Sequence, residues 1–189
     1  SMGVYLFTWE KLRRYLIQDE ADPNSSNDFG KNIIPTMLAQ GEKLFAYRFQ
    51  GYWKDVGTIT SLWDANMDLL STTSGINIHD ATWPIYTHSP ILPAQVIGSE
   101  ATLSHSLVSD GCTVDGQVEN SLLFHSVTVE PGASIRYSIL MPGCVVKAGA
   151  VVEYAIVAEN TVVGPGAHIG NPPDGSDDWG VAVVASHVA

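Results

Sequence analysis

Residues Gly51-Tyr52-Trp53-Lys54-Asp55-Val56-Gly57-Thr58 place two aromatics, a cation, a carboxylate and two glycines in eight consecutive positions. Glycine lets backbone approach a ligand closely and adopt positive φ. Asp55, between Lys54 and the Val-Gly-Thr turn, is placed to hold a hard cation such as Mg²⁺, which takes carboxylate oxygens and ligand phosphates. A tight turn that caps the following helix uses the same residue types, and on residue types alone the two readings stand level. A second candidate is Ser25-Ser26-Asn27-Asp28-Phe29-Gly30-Lys31. It reads either as a capped helix start or as a phosphate site at a helix N-terminus. The cap is favoured, and the glycine spacing excludes a P-loop.

The elements that must position these residues come from periodicity. Val4 to Phe7 read as a strand, followed by Thr8 as a helix cap and an amphipathic helix over Lys11 to Gln18. Residues 19–28 are a polar loop, after which Asn27 or Asp28 caps a helix from about Gly30 to Gln40. A strand over Phe45 to Phe49 leads into the octapeptide, and a helix over Ile59 to Leu70 leaves it. Two strands in some 70 residues are too few to bury both faces of an α/β sheet, so this segment (residues 1–70) reads as the edge of a larger α/β domain. Residues 71–93 form a linker rich in Ser, Thr, Gly and Pro, anchored by Trp83 and Ile85.

From residue 94 the chain repeats itself with a period of 17, the copies starting at Ser121, Ser138 and Ala155. An earlier copy from Ser106 is two residues shorter. The third position of each copy is Val108, Leu123, Leu140 or Val157, and the ninth is Val114, Val129, Val146 or Val163. Ile135, Val152 and Ile169 hold the fifteenth. Three aliphatic positions spaced by six describe a triangular parallel β-helix over 94–189, each side giving one aliphatic to the interior and small residues and glycines making the corners. Successive rungs then lie about 4.8 Å apart. Cys112 and Cys144 share the seventh position two rungs apart. Two rungs is about 9.6 Å, beyond the roughly 7 Å Cα separation that a disulfide spans, so both are expected as buried free thiols.

Composition narrows the function classes. The 189 residues carry 20 acidic and 9 basic side chains, a formal net charge of −11, with no basic cluster, which argues against nucleic acid as a partner. An anionic substrate would need local cations, a metal or backbone N–H groups to overcome that field. No apolar run is long enough to cross a membrane, and residues 1–17 lack a signal-peptide pattern. Two cysteines without metal spacing fit a reducing cytoplasm. Hexapeptide β-helices include acyltransferases with a histidine base, for which His105 and His125 are candidates. No coenzyme-A signature accompanies them, and solvated surface histidines are the favoured reading.

Taken in order, Ser1-Met2-Gly3-Val4-Tyr5, Ser25 to Lys31, Gly51 to Thr58, Trp63-Asp64-Ala65-Asn66-Met67-Asp68-Leu69 and the β-helix resemble the ADP-glucose pyrophosphorylase (glucose-1-phosphate adenylyltransferase) family, closest to the bacterial glycogen-pathway forms. The resemblance implies the α/β edge of a Rossmann-like nucleotidyltransferase domain followed by a left-handed parallel β-helix, the handedness coming from the family. It implies ATP and glucose 1-phosphate as substrates, ADP-glucose and pyrophosphate as products, and Mg²⁺ as cofactor. Asp55 matches one of two metal-holding aspartates, Ser1 a serine contacting the sugar, Gly3 a close-approach glycine, and Trp53 a wall of the sugar pocket. It also implies a cytoplasmic homo- or hetero-tetramer assembled through the β-helix, with allosteric sites in that domain. The family's glycine-rich nucleotide loop, first metal aspartate and Glu-Lys-Pro motif are not in these residues. The chain is therefore expected to be a C-terminal portion, inactive alone. A non-catalytic regulatory or assembly subunit of the same family is the competing reading, against which the retention of Trp53 and Asp55 counts.

Overall fold

A computed structural model describes residues 1–88, 90–176 and 179–185. They form two compact units, Ser1–Gly51 and Tyr52–Ala189.

In the second unit, β-branched and aliphatic residues recur at a spacing that brings each strand above its counterpart in the previous coil, and fifteen short strands result among the described residues. One sheet takes β1 (Val96–Ile97), β4 (Thr113–Val114), β7 (Thr128–Val129), β10 (Val145–Val146) and β13 (Val162–Val163). The second takes β2 (Thr102–Ser104), β5 (Gln117–Glu119), β8 (Ser134–Arg136), β11 (Val151–Glu153) and β14 (His168–Ile169). The third takes β3 (Leu107–Val108), β6 (Leu122–Leu123), β9 (Ile139–Leu140), β12 (Ala155–Val157) and β15 (Ala182–Val184). All pairings are parallel, as in Val145 opposite Val162 and Thr128 opposite Val145, the 17-residue register of the repeat. This is the parallel β-helix that the period predicts.

Each side sends alternate residues inward, as a strand must. In one coil these are Cys144, Val146, Ala150, Val152, Ala155 and Val157, all fully buried. The aliphatic positions read from the sequence pack in one continuous core, with Val108 and Ile169 at its partly buried ends. Each fully buried aliphatic contributes about 1.5–3 kcal/mol. The short copy also falls where the repeat places it: Leu107 lies opposite Leu122, an offset of 15. The two residues are lost at the corner between β4 and β5, where Gly116 turns the chain. A Cβ at Gly116 would stand 2.5 Å from the Ala133 carbonyl oxygen and 2.9 Å from that of Glu130. Ala155 lies opposite Ala182, an offset that the 17-residue period does not give, so β15 comes later in the chain than the repeat places it.

The corner between the second and third sheets departs from expectation. In place of small residues it holds His105, Asn120, Tyr137 and Tyr154, all with φ between 45° and 49°. This left-handed backbone is unfavourable for non-glycine residues. A serine ladder directly after it supplies compensation. Ser121 Oγ donates to the Glu119 carbonyl at 2.7 Å and accepts the Ser138 N–H at 3.0 Å. Ser138 Oγ repeats the pattern with the Arg136 carbonyl and the Ala155 N–H. Each of these two hydroxyls satisfies one carbonyl and one buried N–H.

Helix α3 (Ile59–Met67) and a 3₁₀ turn (Asp68–Leu70) lie on the third sheet. Leu62, Trp63, Met67, Leu69 and Leu70 pack against its outward-facing Leu122, Ile139 and Ile156. Trp83 and Ile85, expected to anchor the linker, are instead 83% and 72% exposed. The stretch closes on itself locally, Asp80 accepting from the Thr82 backbone and hydroxyl at 2.8 and 2.6 Å.

In the first unit, α1 (Trp9–Glu20) follows Thr8, which occupies the cap position without a side-chain cap bond. Asp28 caps the next helix, accepting the Lys31 N–H at 2.8 Å. That helix opens as a π turn (Phe29–Ile33) before α2 (Ile34–Ala39), with Pro35, which has no N–H, in the first turn of α2. Tyr15, Ile33 and Met37 form its core with Phe7, Leu12, Leu16 and Leu44. Glu42 pairs with Lys11 and with Arg14, the latter at 2.8 Å. The strands expected at Val4–Phe7 and Phe45–Phe49 are not formed. A strand exists only through a hydrogen-bonded neighbour, and none pairs with either segment among the described residues. Their apolar side chains stand out accordingly, Leu6 fully exposed and Phe45 91% exposed.

Candidate functional site

Thr58 and Ser61 fix where the octapeptide ends. Thr58 Oγ1 accepts the Ser61 N–H at 3.1 Å and Ser61 Oγ accepts the Thr58 N–H at 3.0 Å, a reciprocal capping box that starts α3. The other end is held by charge. Tyr52 OH and Lys54 Nζ both donate to Asp68 Oδ2, each at 2.9 Å, and Lys54 lies 3.9 Å from Asp64. The octapeptide is thus tied to its own following helix at both ends. The hydrogen bond from Lys54 holds the Asp68 carboxyl below its usual range, with Tyr52 assisting against the opposing effect of desolvation. Desolvation and the neighbouring Asp68 push the Tyr52 phenol up.

Between these ties the loop presents two groups. Trp53 is 47% exposed. Asp55 is exposed, and its Oδ1 accepts the Gly57 N–H at 3.1 Å. A Cβ on Gly57 would come within 3.3 Å of that oxygen, so glycine leaves the carboxylate room. The loop is therefore both a helix-capping turn and a mount for an outward carboxylate, and the two readings of the sequence are compatible. Among the described residues no group of three or more His, Cys, Asp and Glu gathers to hold a metal. Asp55 by itself offers carboxylate oxygens of the kind a hard cation takes, and a site there would need further ligands.

Ser1 and Gly3 belong to the first unit. Ser1 Oγ is 2.7 Å from the Tyr5 hydroxyl and accepts the Gly3 N–H at 3.2 Å. Gly3 has φ 72°, and a Cβ there would meet nothing within 4 Å, so backbone conformation is what calls for glycine. Trp53 and Asp55 lie in the second unit.

The histidines sit at different corners. His105 is exposed with Nδ1 2.7 Å from Asn120 Oδ1, and His125 is half-buried with Nδ1 3.4 Å from Ser126 Oγ. Both cysteines are buried and free, as the register requires. Their thiols donate to carbonyls, Cys112 to Phe124 and Cys144 to Ala158, each at 3.0 Å, and burial pushes both pKa values up.

The sequence reading missed the roles of Lys54, Tyr52, Asp68 and Trp63. The signal was present: Asp64 and Asp68 are four apart on one helix face, and Lys54 is the nearest cation before them.

Three stacked sheets wound from a six-residue subperiod define a hexapeptide-repeat protein. The chain belongs to the family described as GlmU-like, C-terminal hexapeptide, whose model matches residues 92–187. Residues 1–72 match the Nucleotidyl transferase family. Curated relatives are similar over most of the chain. A protein of Clostridium perfringens (strain SM101 / Type A) named glucose-1-phosphate adenylyltransferase is 54% identical over 140 residues, 74% of this chain and 36% of its own length. One of the same name from Clostridium botulinum (strain Alaska E43 / Type E3) is 55% identical over 139 residues, again 36% of its length. Another, from Bacillus cereus (strain ATCC 14579), is 49% identical over 140 residues, 37% of its length. The chain spans little more than a third of the relatives it matches.

Proposed function

We propose that this chain is part of a glucose-1-phosphate adenylyltransferase acting in glycogen synthesis. The observation that carries the reading is the 54% identity, over 74% of the chain, to a relative of that name. In the reaction, a phosphate oxygen of glucose 1-phosphate attacks the α-phosphorus of ATP. The bond from that phosphorus to the bridging oxygen breaks, pyrophosphate leaves, and ADP-glucose forms. Such phosphoryl-type transfers depend on positioning and charge neutralisation. Mg²⁺ supplies the neutralisation when bound, and Asp55 is the residue here that would hold it. Ser1 and Gly3 contact the sugar, and Trp53 walls its pocket. The exposed, singly bonded carboxylate of Asp55 supports this assignment.

Residues 1–70 belong to the catalytic domain, 71–93 link, and 94–189 form the β-helix domain, through which subunits assemble as a tetramer. The protein is cytoplasmic, and no described helix is long and apolar enough to cross a membrane. The glycine-rich nucleotide loop of the family is not in this sequence, so no turnover is expected of the 189-residue chain alone. The test supplies full-length protein with ATP, glucose 1-phosphate and Mg²⁺ and measures ADP-glucose and pyrophosphate. Equal accumulation of both is expected, with none from the 189-residue chain. Absence of ADP-glucose from the full-length protein, or turnover by the chain alone, overturns the reading.

A further inference from the structure

Tyr137 offers its backbone carbonyl at a corner of the β-helix, in the left-handed conformation with φ 47°. Trp63, on the inner face of α3, donates its indole N–H to that carbonyl at 2.8 Å. Its ring lies 5.9 Å from that of Tyr154, which stacks on Tyr137 at 4.8 Å and 11°. From Trp63 the helix leads into the 3₁₀ turn that opens at Asp68, whose Oδ2 receives both Tyr52 OH and Lys54 Nζ. Thr58 closes the circuit at the start of α3. The octapeptide therefore doubles back along about 15 Å of its own helix, bonded at both ends, and among the described residues one directional bond pins the helix to the β-helix amid apolar contacts.

We infer that Trp63 and Asp68 are positioning residues through which the Tyr137 corner of the β-helix sets the place of Trp53 and Asp55. The partly buried apolar contacts of Leu62, Met67 and Leu70 hold this segment on the sheet but do not fix its rotation or its slide, because hydrophobic contact is non-directional. The indole bond does fix them, since hydrogen bonds weaken steeply off axis. A change at the aromatic corner is thus passed along α3 to the loop that carries the carboxylate. The tie itself stands on geometry alone. Its consequence for metal binding rests on the reading of Asp55 given above.

The test has two arms. In the 189-residue chain, Trp63→Phe keeps an aromatic ring but removes the N–H, and Asp68→Asn removes the charge at a half-exposed site. Hydrogen exchange at the Trp53 to Thr58 amides is expected to rise about tenfold in both variants, with amides of β6, β9 and β12 unchanged. Unchanged octapeptide exchange in both variants, or an equal rise throughout the β-helix, overturns the inference. In the full-length protein, Trp63→Phe is expected to raise the Mg²⁺ concentration for half-maximal rate several-fold while kcat at saturating Mg²⁺ is retained. An unaltered Mg²⁺ dependence overturns the metal consequence. Should the unmutated full-length protein make no ADP-glucose, the functional reading falls while the exchange arm still decides the tie.

Discussion

Thr161 marks what the β-helix interior demands of a single side chain. It occupies the column of Cys112, Val127 and Cys144, where the two thiols find carbonyl acceptors and Val127 needs none. The Thr161 hydroxyl is buried and has no partner among the described residues. An unmet buried hydroxyl costs about 1–3 kcal/mol, so Thr161→Val, which keeps the shape, is expected to stabilise the fold by about 1 kcal/mol. That is about 2–4 °C in Tm for a chain of this size, and a Tm that falls or stays level would contradict it. Asp68 makes the complementary argument for charge. Its folded pKa is lowered, so its contribution is present above the ordinary carboxylate range and is lost as pH falls through the folded value. The Asp68 carboxyl carbon should titrate below the midpoint of an unpaired aspartate near pH 3.9. Lys54→Met should return it to that range, and a midpoint unmoved by Lys54→Met would deny the ion pair.

At the level of elements, the repeat was readable because each rung obeys a local rule that recurs: an inward aliphatic at the same place, six residues apart. The tight corner at Gly116 was readable only as a missing pair of residues, since its cause is backbone from the next coil. Gly116→Ala forces a Cβ toward two carbonyl oxygens and should cost about 1–3 kcal/mol. Gly149→Ala meets open space but keeps φ at 70°, a cost of about 1–2 kcal/mol. Urea unfolding should therefore rank Gly116→Ala as the more harmful, and the reverse order would contradict the corner geometry. The strands at Val4–Phe7 and Phe45–Phe49 show the limit of pattern. Alternation records which faces want burial, while a strand also needs a neighbour that sequence cannot place. Tyr137 and Tyr154 at a left-handed corner were hidden for a similar reason: the serine ladder that offsets them joins residues a full coil apart.

At the scale of the molecule, the β-helix is one column whose interior excludes water and reagents alike. Cys112 and Cys144 lie within it as neutral thiols. Both should react with a thiol reagent only as fast as the column unfolds, and together. Rapid labelling of either in native buffer would contradict the register. The candidate site was legible in its parts, because Trp53, Asp55 and the capping residues are contiguous in sequence. Its mounting was not, because Lys54 to Asp68 and Trp63 to Tyr137 are contacts across 14 and 74 residues. What the octapeptide serves is the central claim, and Asp55→Asn in the full-length protein tests it most directly. The substitution preserves shape and the acceptor for the Gly57 N–H but removes the negative charge on which the proposed cation site depends. Pyrophosphate release from ATP and glucose 1-phosphate at saturating Mg²⁺ is expected to fall by about 10²-fold or more with the melting temperature unchanged. Retention of the full rate would reduce Asp55 to a residue that shapes a turn.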